Sequence, residues 1–121
     1  MQITCGTDII EINRIKKSIE ELGEKFLSRV YTKLEIEYCE SKKSQKYQHY
    51  AARFAAKEAI FKAISKQLNN KYDINWKEME ILNDEQGRPQ VKIRGTQREN
   101  IDISISHCKG YAVAMVVMFI D

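Results

Sequence analysis

The hydrophobic period of this chain turns from helical to strand-like at Asn69-Asn70, and that change governs what it can fold into. Before it, from Tyr47 to about Leu68, strong helix formers rich in alanine carry Phe54, Ile60, Phe61, Ile64 and Leu68 as a broad apolar face. After it, short runs alternate with turn residues: Met79 to Leu82, the turn Asn83-Asp84-Glu85-Gln86-Gly87-Arg88-Pro89, then Val91 to Arg94. Ile101, Ile103 and Ile105 alternate with Asp102, Ser104 and Ser106. Lys109-Gly110 then turns the chain into Tyr111 to Ile120, whose apolar run predicts a strand buried on both faces. Strands joined by short turns pair antiparallel. The expected class is α+β, an antiparallel sheet packed against one long helix and shorter helices, in a single domain over residues 1–121.

Upstream, Ile3 to Ile12 reads as a strand, with Ile3, Cys5, Thr7 and Ile9 on one face and Thr4, Gly6, Asp8 and Ile10 on the other. Asn13 is placed to cap a short helix with Ile15, Ile19 and Leu22 on its buried stripe, stopped by Gly23. Arg14 and Lys17 lie on another side of that helix and face solvent. Thr32-Lys33-Leu34-Glu35 has the spacing of a capping box, opening a helix to about Cys39. Ser41 to Gln45 is expected to be loop.

Charge and cysteine content narrow the classes. A net charge of +3 is too small to mark a nucleic-acid binder, but Lys42, Lys43 and Lys46, and Arg14, Lys16 and Lys17, form local basic clusters. Such clusters suit anionic ligands or partners, or are simply solvated surface. The three cysteines are scattered and cannot all pair, which fits free thiols in a reducing cytoplasm. Met1 to Gly6 shows no basic leader followed by an apolar stretch, so a secretory signal is not expected.

Three places can carry chemistry. Asp8 interrupts a strand of small and apolar side chains; a buried carboxylate there needs a cation or several donors, whereas an exposed position needs nothing. Glu58 and Lys62 stand one helical turn apart, as do Arg53 and Lys57 on a neighbouring stripe. As plain surface pairs each contributes only about 0.3–0.5 kcal/mol. His107 ends the strand Ser104-Ile105-Ser106-His107 before a turn, and its neighbour Cys108 points to the opposite face, which rules out a hydrogen-bonded Cys–His nucleophile pair. His49 has no evident role in the sequence.

In order along the chain these segments resemble the AcpS-type 4′-phosphopantetheinyl transferases. The resemblance rests on Gly6-Thr7-Asp8-Ile9-Ile10-Glu11-Ile12, on Arg29 to Glu35, and on Arg53-Phe54-Ala55-Ala56-Lys57-Glu58-Ala59 with Lys62. Asn83 to Pro89 and Ser104-Ile105-Ser106-His107 complete it, so it covers essentially the whole chain. The family commonly has glycine where this chain has Ala52, and threonine or serine where it has Cys108.

The resemblance implies an enzyme in which a serine of an apo-acyl carrier protein attacks the β-phosphorus of coenzyme A, releasing 3′,5′-ADP and supporting fatty-acid synthesis. It implies Asp8 and Glu58 as ligands of Mg²⁺, with Mn²⁺ acceptable, and Lys62 beside the pyrophosphate; Glu58, directly or through a metal-bound water, is the candidate acceptor of the serine proton. Arg53 and His107 would hold coenzyme A phosphates, with Lys42, Lys43 and Lys46 near the 3′-phosphate and Gly87, Arg88 and Pro89 along the adenine. Arg14 and Lys17 would dock the acidic carrier, and the assembly would be a homotrimer with active sites between subunits. Two other readings compete. A small nucleic-acid-binding module would need aromatic and basic residues interleaved on a sheet face, and these strands carry aliphatics and serines instead. A non-catalytic scaffold would lack Asp8, Glu58 or Lys62, and all three are present.

Overall fold

The computed structural model describes residues 1–70 and 73–121. Along the chain run β1 (Gln2–Glu11), α1 (Ile12–Leu22), α2 (Glu24–Val30), α3 (Lys33–Glu40) and the long α4 (Lys46–Ile64). There follow β2 (Met79–Asn83), β3 (Pro89–Ile93), β4 (Thr96–Gln97), β5 (Ile101–His107) and β6 (Tyr111–Ile120), with short 3-10 turns at Lys43–Gln45, Ser65–Gln67 and Trp76–Glu78. The class is α+β as expected, but the strands form two antiparallel sheets, ordered β1-β6-β5 and β2-β3-β4.

The first sheet packs on α4 through one face only. Thr4 donates to the Ala63 carbonyl at 2.7 Å, and a Cβ built on Gly6 would lie 2.0 Å from the Ala59 carbonyl oxygen. Real Cβ atoms do not come so close to a backbone oxygen, so only glycine allows this crossing. α4 itself is buried nearly all round, because alanines at 51, 52, 55, 56, 59 and 63 let strands and helices approach it from several sides. The narrower apolar stripe expected from Phe54, Ile60, Phe61, Ile64 and Leu68 understates this; Phe54, Phe61 and Leu68 are only half-buried. The helix also begins at Lys46 and ends at Ile64, where it tightens into a 3-10 turn instead of running on to Leu68.

β6 differs from expectation. Ala112, Ala114, Val116 and Met118 are buried, while Tyr111, Val113, Met115 and Phe119 are exposed, so the strand is covered on one face rather than two. The antiparallel register sets Ile9 opposite Val113, Thr7 opposite Met115 and Ile3 opposite Phe119. Directly paired residues share a face, so the uncovered side of the sheet is an apolar surface. Ile3 and Ile9 are 61% and 65% exposed on it.

Local signals account for the smaller elements. Thr32 accepts from the Glu35 amide while the Glu35 side chain accepts from the Thr32 amide, the reciprocal capping expected. Asn13 is not a cap: α1 starts one residue earlier, at Ile12, and Glu11 at the cap position makes no side-chain bond. Gly23, at φ 54, ends α1 and immediately starts α2, a short helix unforeseen in the sequence. Beneath α2 the rings of Phe26, Phe54 and Trp76 stack in series, 6.4 and 4.9 Å between centroids.

Candidate active site

Close approach at Gly6 determines where the next inward-facing residue of β1 lands. Two residues on, Asp8 points to the same side and meets α4 beside Glu58, with the Lys62 ammonium reaching it. Lys62 Nζ donates to the Thr7 carbonyl at 2.8 Å and lies 3.4 Å from Asp8 Oδ1. Phe54, Glu58 and Lys62 follow one another at four-residue spacing, so one stripe of α4 presents a ring, a carboxylate and an ammonium to the strand. Asp8 and Glu58 line a common recess of about 320 Å³ with Arg14, Ile10, Phe26 and Phe54.

The electrostatics of this recess are unbalanced. Burial raises the Glu58 carboxyl above its ordinary 4.5, and the Asp8 charge pushes the same way, while Lys62 opposes both. Lys62 pairs with Asp8 and is itself half-exposed. It is therefore bonded to the strand, not to Glu58 as a simple surface pair one turn apart would be. Two half-buried carboxylates sharing one ammonium form a site that a hard cation would complete. Among the described residues no cluster of three or more His, Cys, Asp or Glu side chains is arranged for a metal, so this pair would supply two ligands and leave the rest to phosphate and water.

The adjacent stripe of α4 carries His49, Arg53 and Lys57, and here the expected cationic flank is not on the surface. Lys57 is fully buried, 2.6 Å from Glu35 Oε1, and donates to the carbonyls of Val30 and Trp76 at 2.7 and 2.9 Å. Glu35 Oε2 accepts from the Ile81 amide at 2.9 Å. Burial lowers the Lys57 pKa, with Glu35 holding it up. Arg53 is buried too: Nε donates to the Ile81 carbonyl at 3.2 Å and its guanidinium carbon lies 4.2 Å from the centroid of the Tyr38 ring. Its Nη2 is buried with no hydrogen-bond partner among the described residues.

Around Arg53 gather groups that the sequence did not connect. The His49 ring stands 5.5 Å from Tyr38 and 5.7 Å from His107, and Lys42 Nζ lies 4.9 Å from the centroid of Tyr38. The i, i+4 relation of His49 to Arg53 was the available signal. The other loop lysines diverge: Lys46 pairs with Glu40 at 3.3 Å, and Lys43 sits in a 3-10 turn at φ 55. Gly87, Arg88 and Pro89 lie in the β2–β3 turn, held by Asp84, whose carboxylate accepts from the Gln86 and Arg88 amides at 2.9 Å. Arg88 and Pro89 line a separate recess of about 410 Å³ with Arg98 and Asp102, sharing no residue with the Asp8–Glu58 recess. Arg14 and Lys17 are both exposed on α1. At the end of β5, His107 and Cys108 border a shallow depression on the uncovered sheet face with Ile9, Tyr111 and Val113; amide bonds from Gly110 and Tyr111 lower the Cys108 thiol pKa.

Known proteins share this fold. A family model described as the 4′-phosphopantetheinyl transferase superfamily matches residues 4–116. The chain is 48% identical over 126 residues to a holo-[acyl-carrier-protein] synthase of Ruminiclostridium cellulolyticum, covering 98% of this chain and 92% of that one. It is 48% identical over 113 residues to the synthase of Thermodesulfovibrio yellowstonii, covering 93% and 95%. Among solved structures it resembles the Bacillus anthracis synthase in complex with CoA (3′,5′-ADP), with TM-score 0.77 and 36% identity over 95% of this chain and 94% of that one. The Helicobacter pylori synthase in complex with coenzyme A gives TM-score 0.80 and 28% identity, over 95% and 99%.

Proposed function

The chain belongs to the 4′-phosphopantetheinyl transferase superfamily, and on that premise we propose that it is a holo-acyl-carrier-protein synthase. It moves 4′-phosphopantetheine from coenzyme A to a serine of apo-acyl carrier protein, with 3′,5′-ADP as the other product. The observation that carries this reading is the meeting of Asp8 and Glu58, from elements far apart in sequence, in one recess, with Lys62 paired to Asp8 beside it.

Phosphoryl transfer asks a protein mainly for positioning and charge neutralisation. Asp8 and Glu58 would hold Mg²⁺, or Mn²⁺, which neutralises diphosphate charge when bound. Lys62 is anchored by the Thr7 carbonyl with half of its side chain still open to solvent, which suits it to meet the charge that gathers on the departing phosphate. Glu58 accepts the serine proton as the serine oxygen bonds to the β-phosphorus and the bridging P–O bond breaks towards 3′,5′-ADP. Its half-buried place beside Asp8 in the recess favours that role.

Arg53 and His107 would hold coenzyme A phosphates, with Lys42, Lys43 and Lys46 around the 3′-phosphate and Gly87, Arg88 and Pro89 beside the adenine. A single chain separates the Arg88–Pro89 recess from the Asp8–Glu58 recess. A homotrimer reconciles them by setting one subunit's turn against the next subunit's carboxylates. The apolar sheet face of Ile3, Ile9, Val113, Met115 and Phe119 is the surface such an assembly would cover. Arg14 borders the carboxylate recess, and with Lys17 it offers an acidic carrier protein a basic approach. We place the enzyme in the cytoplasm, where its substrates and three free thiols belong; no helix among the described residues is long and apolar enough to cross a membrane.

Intact mass of apo-carrier protein incubated with enzyme, coenzyme A and Mg²⁺ tests the proposal. The carrier gains one phosphopantetheine, and the gain is lost with chelator and in Asp8→Ala or Glu58→Ala. Near-normal turnover by Glu58→Ala would overturn the carboxylate assignment.

A further inference from the structure

Lys42, His49 and Arg53 meet around the Tyr38 ring and His107 stands against His49; none of these four basic side chains is in an ion pair among the described residues. Arg53 aligns with His49 on α4, one turn apart, and its Nη2 is buried without a partner. A buried guanidinium nitrogen left unbonded is costly in the empty protein and is relieved when an acceptor arrives. His49 is the member whose charge can change. Burial pushes its pKa down, and the positive charges of Arg53, Lys42 and His107 add to this, so that it falls to about 4. The groups facing it from other elements are Tyr38 on α3, Lys42 in the following turn and His107 on β5; among the described residues no carboxylate opposes them.

We propose that His49 is a proton-linked member of the coenzyme A site: when a phosphate of coenzyme A enters the Lys42–Arg53–His107 cluster, the His49 imidazole takes a proton from solvent, so affinity for coenzyme A rises as pH falls. The proposal rests on the coenzyme A reading above. Its logic is reciprocal linkage. A dianionic phosphate offsets the burial and the positive charges that together keep His49 neutral, and protonated His49 in turn attracts the phosphate. A full return of the imidazole to the ordinary midpoint of 6.5 tightens binding about tenfold between pH 7.5 and 5.5.

The chain has only two histidines, so imidazole NMR resolves them, and His49→Phe assigns the pair. In the free protein the His49 resonances stay flat from pH 5.5 to 8; with saturating coenzyme A they titrate inside that window. In parallel, the affinity for coenzyme A is measured across the same range for the parent and for His49→Phe, which keeps a ring against Tyr38 and His107. Titration of the nucleotide's own phosphate is common to both proteins, so it cancels in their ratio. At least a threefold change in that ratio between pH 7.5 and 5.5 is expected. If coenzyme A shifts other resonances while His49 stays flat, or if His49→Phe weakens binding equally at every pH, the proton linkage is wrong and the coenzyme A reading stands. If coenzyme A perturbs no resonance, the reading itself fails and the linkage with it.

Discussion

Gly6→Ala is the sharpest test of how the carboxylate site is assembled. The added Cβ would sit 2.0 Å from the Ala59 carbonyl oxygen, 3.0 Å from the Ala59 carbonyl carbon and 3.0 Å from Lys62 Cβ. The first two contacts are helix backbone and cannot rotate away, so β1 and α4 must part by about 1 Å to bring the nearest contact to 3.0 Å. Overpacking of this kind typically costs about 1–3 kcal/mol of stability. Misplacing reacting groups by about 1 Å costs on the order of 100-fold in rate. Asp8 is two residues from the clash and Lys62 takes part in it, so the separation falls between Asp8 on β1 and the Glu58 and Lys62 side chains on α4. The expected result is a folded protein with lowered Tm and about 100-fold lower kcat for phosphopantetheine transfer, read by carrier-protein mass and by thermal denaturation. A variant within twofold of the parent in both kcat and Tm refutes the claim that this crossing sets the site.

Four other outcomes follow from the same structure. The folded state holds a proton on Glu58 more tightly than the unfolded chain does, so its charge opposes folding above its raised pKa, and the penalty vanishes below the unfolded value of 4.5. Without divalent cation, Glu58→Gln should therefore raise Tm at pH 7–8, with the gain closing as pH falls through 4.5; an equal gain at all pH values contradicts this. Lys57→Met leaves the Glu35 carboxylate buried and unpaired, at a cost of about 3–5 kcal/mol by urea denaturation; Glu35→Gln/Lys57→Met should be the more stable of the two, and the reverse order sinks the argument. Val113→Asp with Met115→Asp charges the bare sheet face, and light scattering should show a trimer becoming a monomer; a parent that is already monomeric overturns the assembly. Arg14→Glu should raise the KM for carrier protein far more than that for coenzyme A, and equal effects would argue against docking at α1.

The sequence was most legible where a signal was local. Thr32 and Glu35 announced their capping box because both partners lie within one turn. The pairing of Asp8 with Glu58 came from the family resemblance that Gly6-x-Asp8 and Arg53 to Lys62 carry; the Glu58–Lys62 spacing alone reads as a surface pair. Burial set by distant chain was harder to read. Tyr111–Ile120 is apolar enough for two covered faces, yet nothing in the run states that only α4 covers it. Lys57 and Arg53 look like solvated charges on a helix until Glu35 and Tyr38 are placed against them by the fold. α2 went unseen because a seven-residue segment with only Leu27 and Val30 buried offers too few periods to register. His49 was silent for the same reason as Arg53: its partners come from α3, the lysine turn and β5.

Glu35 answers to the Thr32 amide, the Lys57 ammonium and the Ile81 amide at once, each from a different part of the chain. A single dry carboxylate thereby rivets the β2–β3 hairpin to the long helix near its root. Changes to the hairpin should accordingly spare that rivet only at its far tip, between residues 84 and 88, where they would test the adenine contacts assigned to Gly87 and Arg88 without unseating the strands.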